Sequence, residues 1–420
     1  MSPAPGARPP VALYVHVPFC LSVCPYCDFV VVAGAAARGP ASRIATFVEA
    51  LIVELGLRAD ALDARFGPPG PGRPPLESVY FGGGTPSLLA AGTIGDLLDL
   101  VDERFGLAPG AEVTLEANPG TDERGDPRAL REAGVTRLSF GAQSLRSAEL
   151  RALGRRHRPV DVATAVAAAR AAGTGSINLD LLYDLPGQSL ADWIETLEAA
   201  LALRPDHLSL YALTLDDPDA EGLTGPTGDH LPVTSGARAW RERARPGQDE
   251  DRAAAQYHYA ASLLAEDGWH GYEISNWARP GHESRHNLAY WERRPYEAVG
   301  PGAHAFDGVV RRWNAARLED YLGALLPAPG ATPALPPGGQ ERLDPATAAA
   351  EELILGLRTD RGVGREALLG ARSGSATLDW ALAGGLVEPV TPSDEVAVTA
   401  RIRLTTRGRL LSNELFSRLL

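Results

Sequence analysis

Three cysteines, Cys20, Cys24 and Cys27, stand in the stretch HVPFCLSVCPYCDF (16–29) and are the only cysteines of the chain. Their C-x3-C-x2-C spacing lets one short loop fold around a corner of an iron–sulfur cube, each thiolate holding a different iron and one iron left open. Zinc is the alternative, because His16 completes H-x3-C-x3-C-x2-C and a Cys3His set closes a tetrahedral site. Zinc sites usually pair two knuckles from separate segments, whereas this loop is continuous and aromatic-rich, which favours the cluster. Three cysteines so close together cannot build a disulfide framework.

The elements that must position this loop are short apolar runs between longer helical stretches. Strands are predicted over 11–17, 77–83, 112–118, 135–141, 176–183 and 207–213, with helices between them such as 43–60 and 159–173. This alternation is an α/β pattern, a parallel sheet wrapped in helices. Six βα units are too few for a closed eight-fold barrel, so the expectation is a partial (βα)6 barrel. The polar and glycine-rich signals fall at the C-terminal strand ends: the cysteine loop after the first, GGGTP after the second, EANP after the third, GAQS after the fourth, and Asp180 late in the fifth. In barrels that rim is where sites are built, which points to one shared pocket.

Composition excludes several classes. The net charge of −13 over 420 residues argues against nucleic acid as the main partner. All basic side chains are arginines, so no lysine Schiff base can form. No apolar run approaches the roughly 20 residues of a membrane helix. Residues 1–10 read as a disordered lead-in without the apolar centre of a signal peptide, and the expected location is the cytosol. The barrel is expected over 11–325, with a polar excursion at 216–252, a Pro/Gly linker at 326–340 and a small winged-helix-like α+β unit at 341–420 that contains a hairpin in EVAVTARIRLTTRG. Acids and arginines nearly balance in that last unit, which favours packing or gating over DNA binding.

The cysteine loop together with FGGGTPS, EANPG, LSFGAQS, LDLLYDLPGQ and GYEISNWARPGHESRHNLAYW resembles the radical S-adenosylmethionine (SAM) proteins of the oxygen-independent coproporphyrinogen oxidase type. The resemblance spans about 11–315 and, more weakly, 345–420. It implies a 4Fe-4S cluster on Cys20, Cys24 and Cys27 and SAM on the open iron. By the same resemblance Gly83, Gly84 and Thr85 contact SAM along accessible backbone, Glu116 and Asp180 balance its positive charge, and Gln143 and Arg155 complete the site. Tyr14 and Tyr26 match aromatic positions lining cluster and adenine.

Two features select a branch. The oxidases resemble C-x3-C-x2-C-x-C, but here the last position is Phe29. HNLAYW (286–291) matches the H-N-x-x-Y-W of haem chaperones, which implies haem on His286 beside Tyr290 and Trp291, with His282 and His304 as flanking alternatives. Covalent haem attachment is excluded, since no C-x-x-C-H occurs. The expected function is therefore haem delivery to acceptors such as respiratory enzymes, with an electron donor needed only if SAM is cleaved. The rivals are coproporphyrinogen decarboxylation, with Arg293, Arg294, Arg311 and Arg312 available for carboxylates, and a zinc-binding interaction module. LDLLYDLPGQ departs from the family in having Asp184 where glycine is usual.

Overall fold

The computed structural model describes residues 6–371, 373–390 and 400–419. Six strands pair in parallel in chain order: β1 (Ala12–Val17), β2 (Leu76–Gly83), β3 (Leu107–Ala117), β4 (Arg137–Gln143), β5 (Ser176–Tyr183) and β6 (His207–Ala212). The crossovers carry α1 (Ile44–Phe66), α2 (Ala91–Phe105), α3 (Pro127–Glu132), α4 (Pro159–Ala171) and α5 (Leu190–Ala202). These are the six predicted βα units, and the strand ends lie close to the sequence reading except that β3 begins at Leu107, well before the expected 112.

The sheet extends further than six strands. Beyond β6 lies antiparallel β7 (Asn276–Ala278), and on the free side of β1 a seventh parallel strand, β8 (Tyr296–Val299), leads into antiparallel β9 (His304–Phe306), β10 (Val310–Asn314) and β11 (Gly338–Arg342). With His270–Gly271 pairing on β7, the result is one open twelve-stranded sheet. β8 escaped the sequence reading because four residues between Arg-Arg-Pro and Gly-Pro-Gly are too short to display a period.

Side chains alternate along each parallel strand. Leu13, Val15, Val17, Val79, Phe81, Leu115, Phe140, Leu179 and Leu208 point to the helices and build the main core. The alternate positions hold Tyr14, Ser78, Tyr80, Glu116, Ser139, Asn178, Asp180, His207 and Ser209, which hydrogen-bond to one another or to the side chains of neighbouring elements. The inside of this barrel is therefore polar, where a closed barrel would be filled by branched apolar side chains.

A buried charge ties α1 to the extension. Glu54 is fully buried, pairs with Arg58, and accepts from Asn314 Nδ2 (2.8 Å), Gly300 N (2.9 Å) and Tyr321 Oη (2.8 Å). Removing one partner would strand the rest of such a network.

Further along the chain come α6 (Ser235–Ala244), α7 (Glu250–Glu266), α8 (Arg285–Trp291) and α9 (Pro345–Arg358). The C-terminal residues form a second, three-stranded antiparallel sheet with its own apolar cluster around Leu357, Leu368, Leu378 and Ile402. Three local expectations change. In the lead-in, Arg8 N donates to Asp307 O (2.8 Å) and Pro10 is buried, so residues 6–10 are held; residues 1–5 lie outside the described residues. The 326–340 stretch ends in β11, because its glycines pass flush against Trp313 and Asn314 of β10. In the expected hairpin, 395–399 lie outside the described residues, and Arg401–Leu404 pairs instead with Val387–Val390. Among the described residues no helix is long and apolar enough to cross a membrane.

Candidate functional site

The cysteine loop leaves the top of β1. Phe19 is fully buried edge-on to Phe47 of α1, and Phe19–Cys20 pairs with Val32–Ala33, so both ends of the loop are anchored. Between them the three half-exposed cysteines are free thiols. Thr85 Oγ1 lies 3.5 Å from Cys20 Sγ and Arg155 Nη1 lies 3.4 Å from Cys24 Sγ. Burial pushes the Cys20 thiol up to about 11 and the Cys27 thiol to about 12. Ionising them needs nearby positive charge, which a metal centre supplies with release of protons. His16 does not complete a zinc set: its Nε2 donates to Val30 O (2.7 Å) and its Nδ1 accepts from Tyr14 Oη (3.0 Å), so both nitrogens are spent. Burial holds this imidazole neutral, with its pKa lowered to about 4.

The glycines of GGGTP are demanded by close approach. A Cβ on Gly83 would sit 2.4 Å from the His16 ring, and one on Gly84 would sit 2.6 Å from Phe19 O. Gly83 also has φ 109°, a conformation glycine adopts freely. Its amide donates to Glu116 Oε2 (3.0 Å). Tyr80 Oη donates to the other Glu116 oxygen (2.8 Å). Asp180 accepts from Ser139 Oγ (3.0 Å) and Asn178 Nδ2 (2.8 Å). Burial, then the neighbouring Asp180 charge, raises the Glu116 carboxyl to about 7, and burial raises Asp180 as well. Two half-buried carboxyls whose ionisation is disfavoured suit a cationic ligand.

Gln143 ends β4 at φ 64° where the β4–β5 register slips, an irregularity that re-aims its side chain at the rim. Arg155 donates to Gly141 O (2.7 Å) and to Asn118 Oδ1, and its buried Nε has no partner among the described residues. Tyr26 packs against Trp240 of α6 (6.4 Å between ring centroids).

A family model described as the radical SAM superfamily matches residues 14–200. Over the whole chain, a heme chaperone HemW of Mycobacterium tuberculosis is 38% identical, covering 100% of this chain and 97% of the relative. The chain belongs to the HemW family of radical SAM proteins. A HemW of Bacillus subtilis is 30% identical over 96% of this chain and 97% of its own length. Among solved structures, coproporphyrinogen III oxidase (HemN) from Escherichia coli superposes with a TM-score of 0.75 at 20% identity, covering 98% of this chain and 90% of that one, which establishes the shared fold. A radical SAM domain implies a 4Fe-4S cluster and SAM. The residues fit both: three unpaired thiols on one anchored loop, Arg155 beside them with its Nε unpartnered among the described residues, and the half-buried carboxyls of Glu116 and Asp180 on β3 and β5.

The haem residues expected from HNLAYW lie elsewhere in this HemW family member. Ser78, near the start of β2, marks the floor of the barrel, at the opposite end from the cysteines, and α8 docks there. His286 is 1% exposed, with Nδ1 3.0 Å from Ser78 Oγ and Nε2 2.8 Å from Tyr290 Oη. It packs against Tyr80 at 5.0 Å, and burial lowers its pKa to about 3. Both nitrogens are engaged in hydrogen bonds, so haem ligation by His286 would have to displace Ser78 or Tyr290. Trp291 faces Arg358 (4.6 Å) and lines a cavity of about 900 Å³ between α8, α9 and the C-terminal sheet.

Four residues of the site were not singled out from the sequence. Asn118 links Thr85 (2.9 Å), Glu123 (3.1 Å) and Arg155, and its place in EANPG was a usable signal. Tyr80 holds Glu116. Arg137 is buried in the lumen, with its Nε unpartnered among the described residues. Arg241, 4% exposed on α6, donates to the carbonyls of Pro25 (3.1 Å) and Cys27 (2.9 Å). The polar excursion thus returns to clasp the cysteine loop, which nothing local in its sequence announces. Asp184, the departure from family glycine, takes the left-handed φ of 54° and is held there by Arg252 (2.6 Å) and Asp249 N (3.1 Å).

Proposed function

We propose that this chain is a haem chaperone of the cytosol: it carries a 4Fe-4S cluster on Cys20, Cys24 and Cys27, binds SAM across the rim, and delivers haem to acceptor proteins. The reading is carried by Phe29. It stands where the oxidase pattern has a fourth cysteine, and its side chain is 64% exposed. The full-length likeness to relatives named heme chaperones supports it. When bound, the cluster would supply one electron for cleavage of SAM. The chain's own residues do the rest: Arg155 and Thr85 approach the thiolates, Arg241 fixes the loop carbonyls, and Glu116 and Asp180 offer negative charge to a sulfonium. Haem transfer needs no radical chemistry, so SAM can serve as a bound regulator.

The test is to incubate anaerobically reconstituted protein with SAM, a reductant and coproporphyrinogen, and to quantify porphyrin and 5'-deoxyadenosine together. The expected outcome is no decarboxylated porphyrin, with haem passing from loaded protein to an apo-acceptor. Protoporphyrinogen formed in step with deoxyadenosine would make the protein a decarboxylase.

A further inference from the structure

Arg137 opens β4 on its inward face, two residues before Ser139, and is 3% exposed. Among the described residues its guanidinium makes no ion pair and its buried Nε no hydrogen bond. Glu116 and Asp180 sit in its field but are committed to other donors: Glu116 to Tyr80 Oη and Gly83 N, Asp180 to Ser139 Oγ and Asn178 Nδ2. Burial first, and the Arg137 charge second, hold His207 and His286 neutral nearby. A charge taken out of water is costly unless a counter-charge meets it, and here the side chains around it supply none in contact.

The strand register shows where that counter-charge would sit. Parallel pairing sets Tyr14, Tyr80, Thr114, Arg137 and Ser176 side by side across β1 to β5. Residues in register on parallel strands face the same side, so this row lines the lumen. The two tyrosine hydroxyls are engaged, Tyr14 Oη with His16 Nδ1 (3.0 Å) and Tyr80 Oη with Glu116 (2.8 Å). The next three members are not: Thr114 Oγ1, Arg137 Nε and Ser176 Oγ are buried atoms without a partner among the described residues. Neighbouring strands lie about 4.8 Å apart, which keeps these three residues within about 10 Å. Two hydroxyls that can each turn a proton inward flank a group that only donates. Water could meet their hydrogen bonds but not the charge. The lumen above is reachable, since Tyr211, inward on β6, is 39% exposed.

We propose that Thr114, Arg137 and Ser176 form a binding site for a small monovalent anion, chloride or a carboxylate group, which acts as the counter-charge of Arg137. The row lies two residues before Glu116 along β3, so the bound anion screens the Arg137 charge from the site for a cation above it. The site is independent of the chaperone reading and stands or falls without it.

The first probe is bromide, located by its anomalous scattering in crystals of the full chain. One peak is expected within hydrogen-bond reach of Arg137, Thr114 Oγ1 and Ser176 Oγ. In solution, the melting temperature at fixed ionic strength should rise saturably as chloride or formate replaces gluconate, which is too bulky for the row. A rise with chloride alone assigns a halide site; a rise with both assigns one that also accepts a carboxylate. Arg137→Gln should lose the peak and the rise. Thr114→Val and Ser176→Ala each remove one donor at little change in size and should weaken the apparent affinity about fivefold. They decide the matter if Arg137→Gln does not fold. A row without a bromide peak overturns the proposal, and so does a chloride response that is the same in Thr114→Val and Ser176→Ala as in the wild type. A peak without any stabilisation in solution marks an adventitious ion only and overturns it as well.

Discussion

The two ends of the barrel each hold histidine, tyrosine and carboxylate side chains, but they use them in opposite ways. At the floor, His286 has both nitrogens occupied, is 1% exposed, and is held neutral by burial with a pKa near 3. At the rim, His230 and His304 each keep one nitrogen unpartnered among the described residues, Arg155 keeps an unpartnered Nε, and the thiols of Cys20, Cys24 and Cys27 are unpaired with one another. Around His286 the hydrogen bonds are complete, although Arg137 Nε and Trp291 Nε1 at the same end stay unpartnered among the described residues; the rim keeps open capacity on the side chains nearest the cysteines. Residue type alone does not separate structure from chemistry here. What separates them is whether the protein has already satisfied the group, since a satisfied buried polar group stabilises and an unsatisfied one awaits a ligand.

The sharpest way to break this comparison is at the rim. Cys24→Ser should abolish cluster assembly, with iron falling from about four per chain to near zero after anaerobic reconstitution, while far-UV circular dichroism stays native. Retention of stoichiometric iron would remove the basis for the rim as a cofactor site. At the floor the expected effect is on stability: His286→Ala strands Ser78 and Tyr290 and opens a cavity, costing about 3 kcal/mol in denaturant unfolding. Cluster content should not change. Because the His286 pKa is depressed from 6.5 to about 3, the unfolded chain binds more protons between those values, so stability falls as pH drops through that window, and the variant should lose part of this acid sensitivity.

Smaller effects sharpen the contrast. Arg241→Ala removes two charge-assisted bonds to the loop carbonyls and should destabilise the loop by about 2 kcal/mol, read as faster cluster loss in the presence of a chelator without a comparable drop in melting temperature. The smallest concerns Glu116. Its carboxyl is raised to about 7, so between 4.5 and 7 the folded protein holds a proton that the unfolded chain has lost, and stability declines with rising pH across that range. A cation such as SAM favours the carboxylate and expels that proton. SAM affinity should therefore rise about tenfold from pH 6 to pH 8 in equilibrium dialysis, and Glu116→Gln should flatten the profile.

Much of the fold was legible because its signals are local. Each of the six main strands carries enough β-branched and apolar residues to show itself, and α4 opens on a proline and is followed by Gly173, as 159–173 suggested. The short strand β8 and the antiparallel extension were not legible: four and three residues carry no period, and β11 forms because two glycines let it lie against Trp313. For the candidate site, the motif residues at the strand ends were singled out and Arg241 was not. A lone arginine in a polar stretch looks like a surface charge until the chain folds back over 214 residues to put it on Cys27 O.

By itself the sequence determined the parallel α/β order, the three-cysteine loop, the strand ends that carry Thr85, Glu116, Arg155 and Asp180, and the branch marked by Phe29, because all of these are set by residue type and by spacing within one element. The tertiary structure alone decided which histidines are hydrogen-bonded at both nitrogens and which at one, that Gly83 yields to the His16 ring and gives its amide to Glu116, and that the excursion closes on the cysteine loop. Those outcomes depend on which donors and acceptors meet across distant segments, and hydrogen-bond satisfaction is a property of the folded neighbourhood that no single stretch of sequence contains.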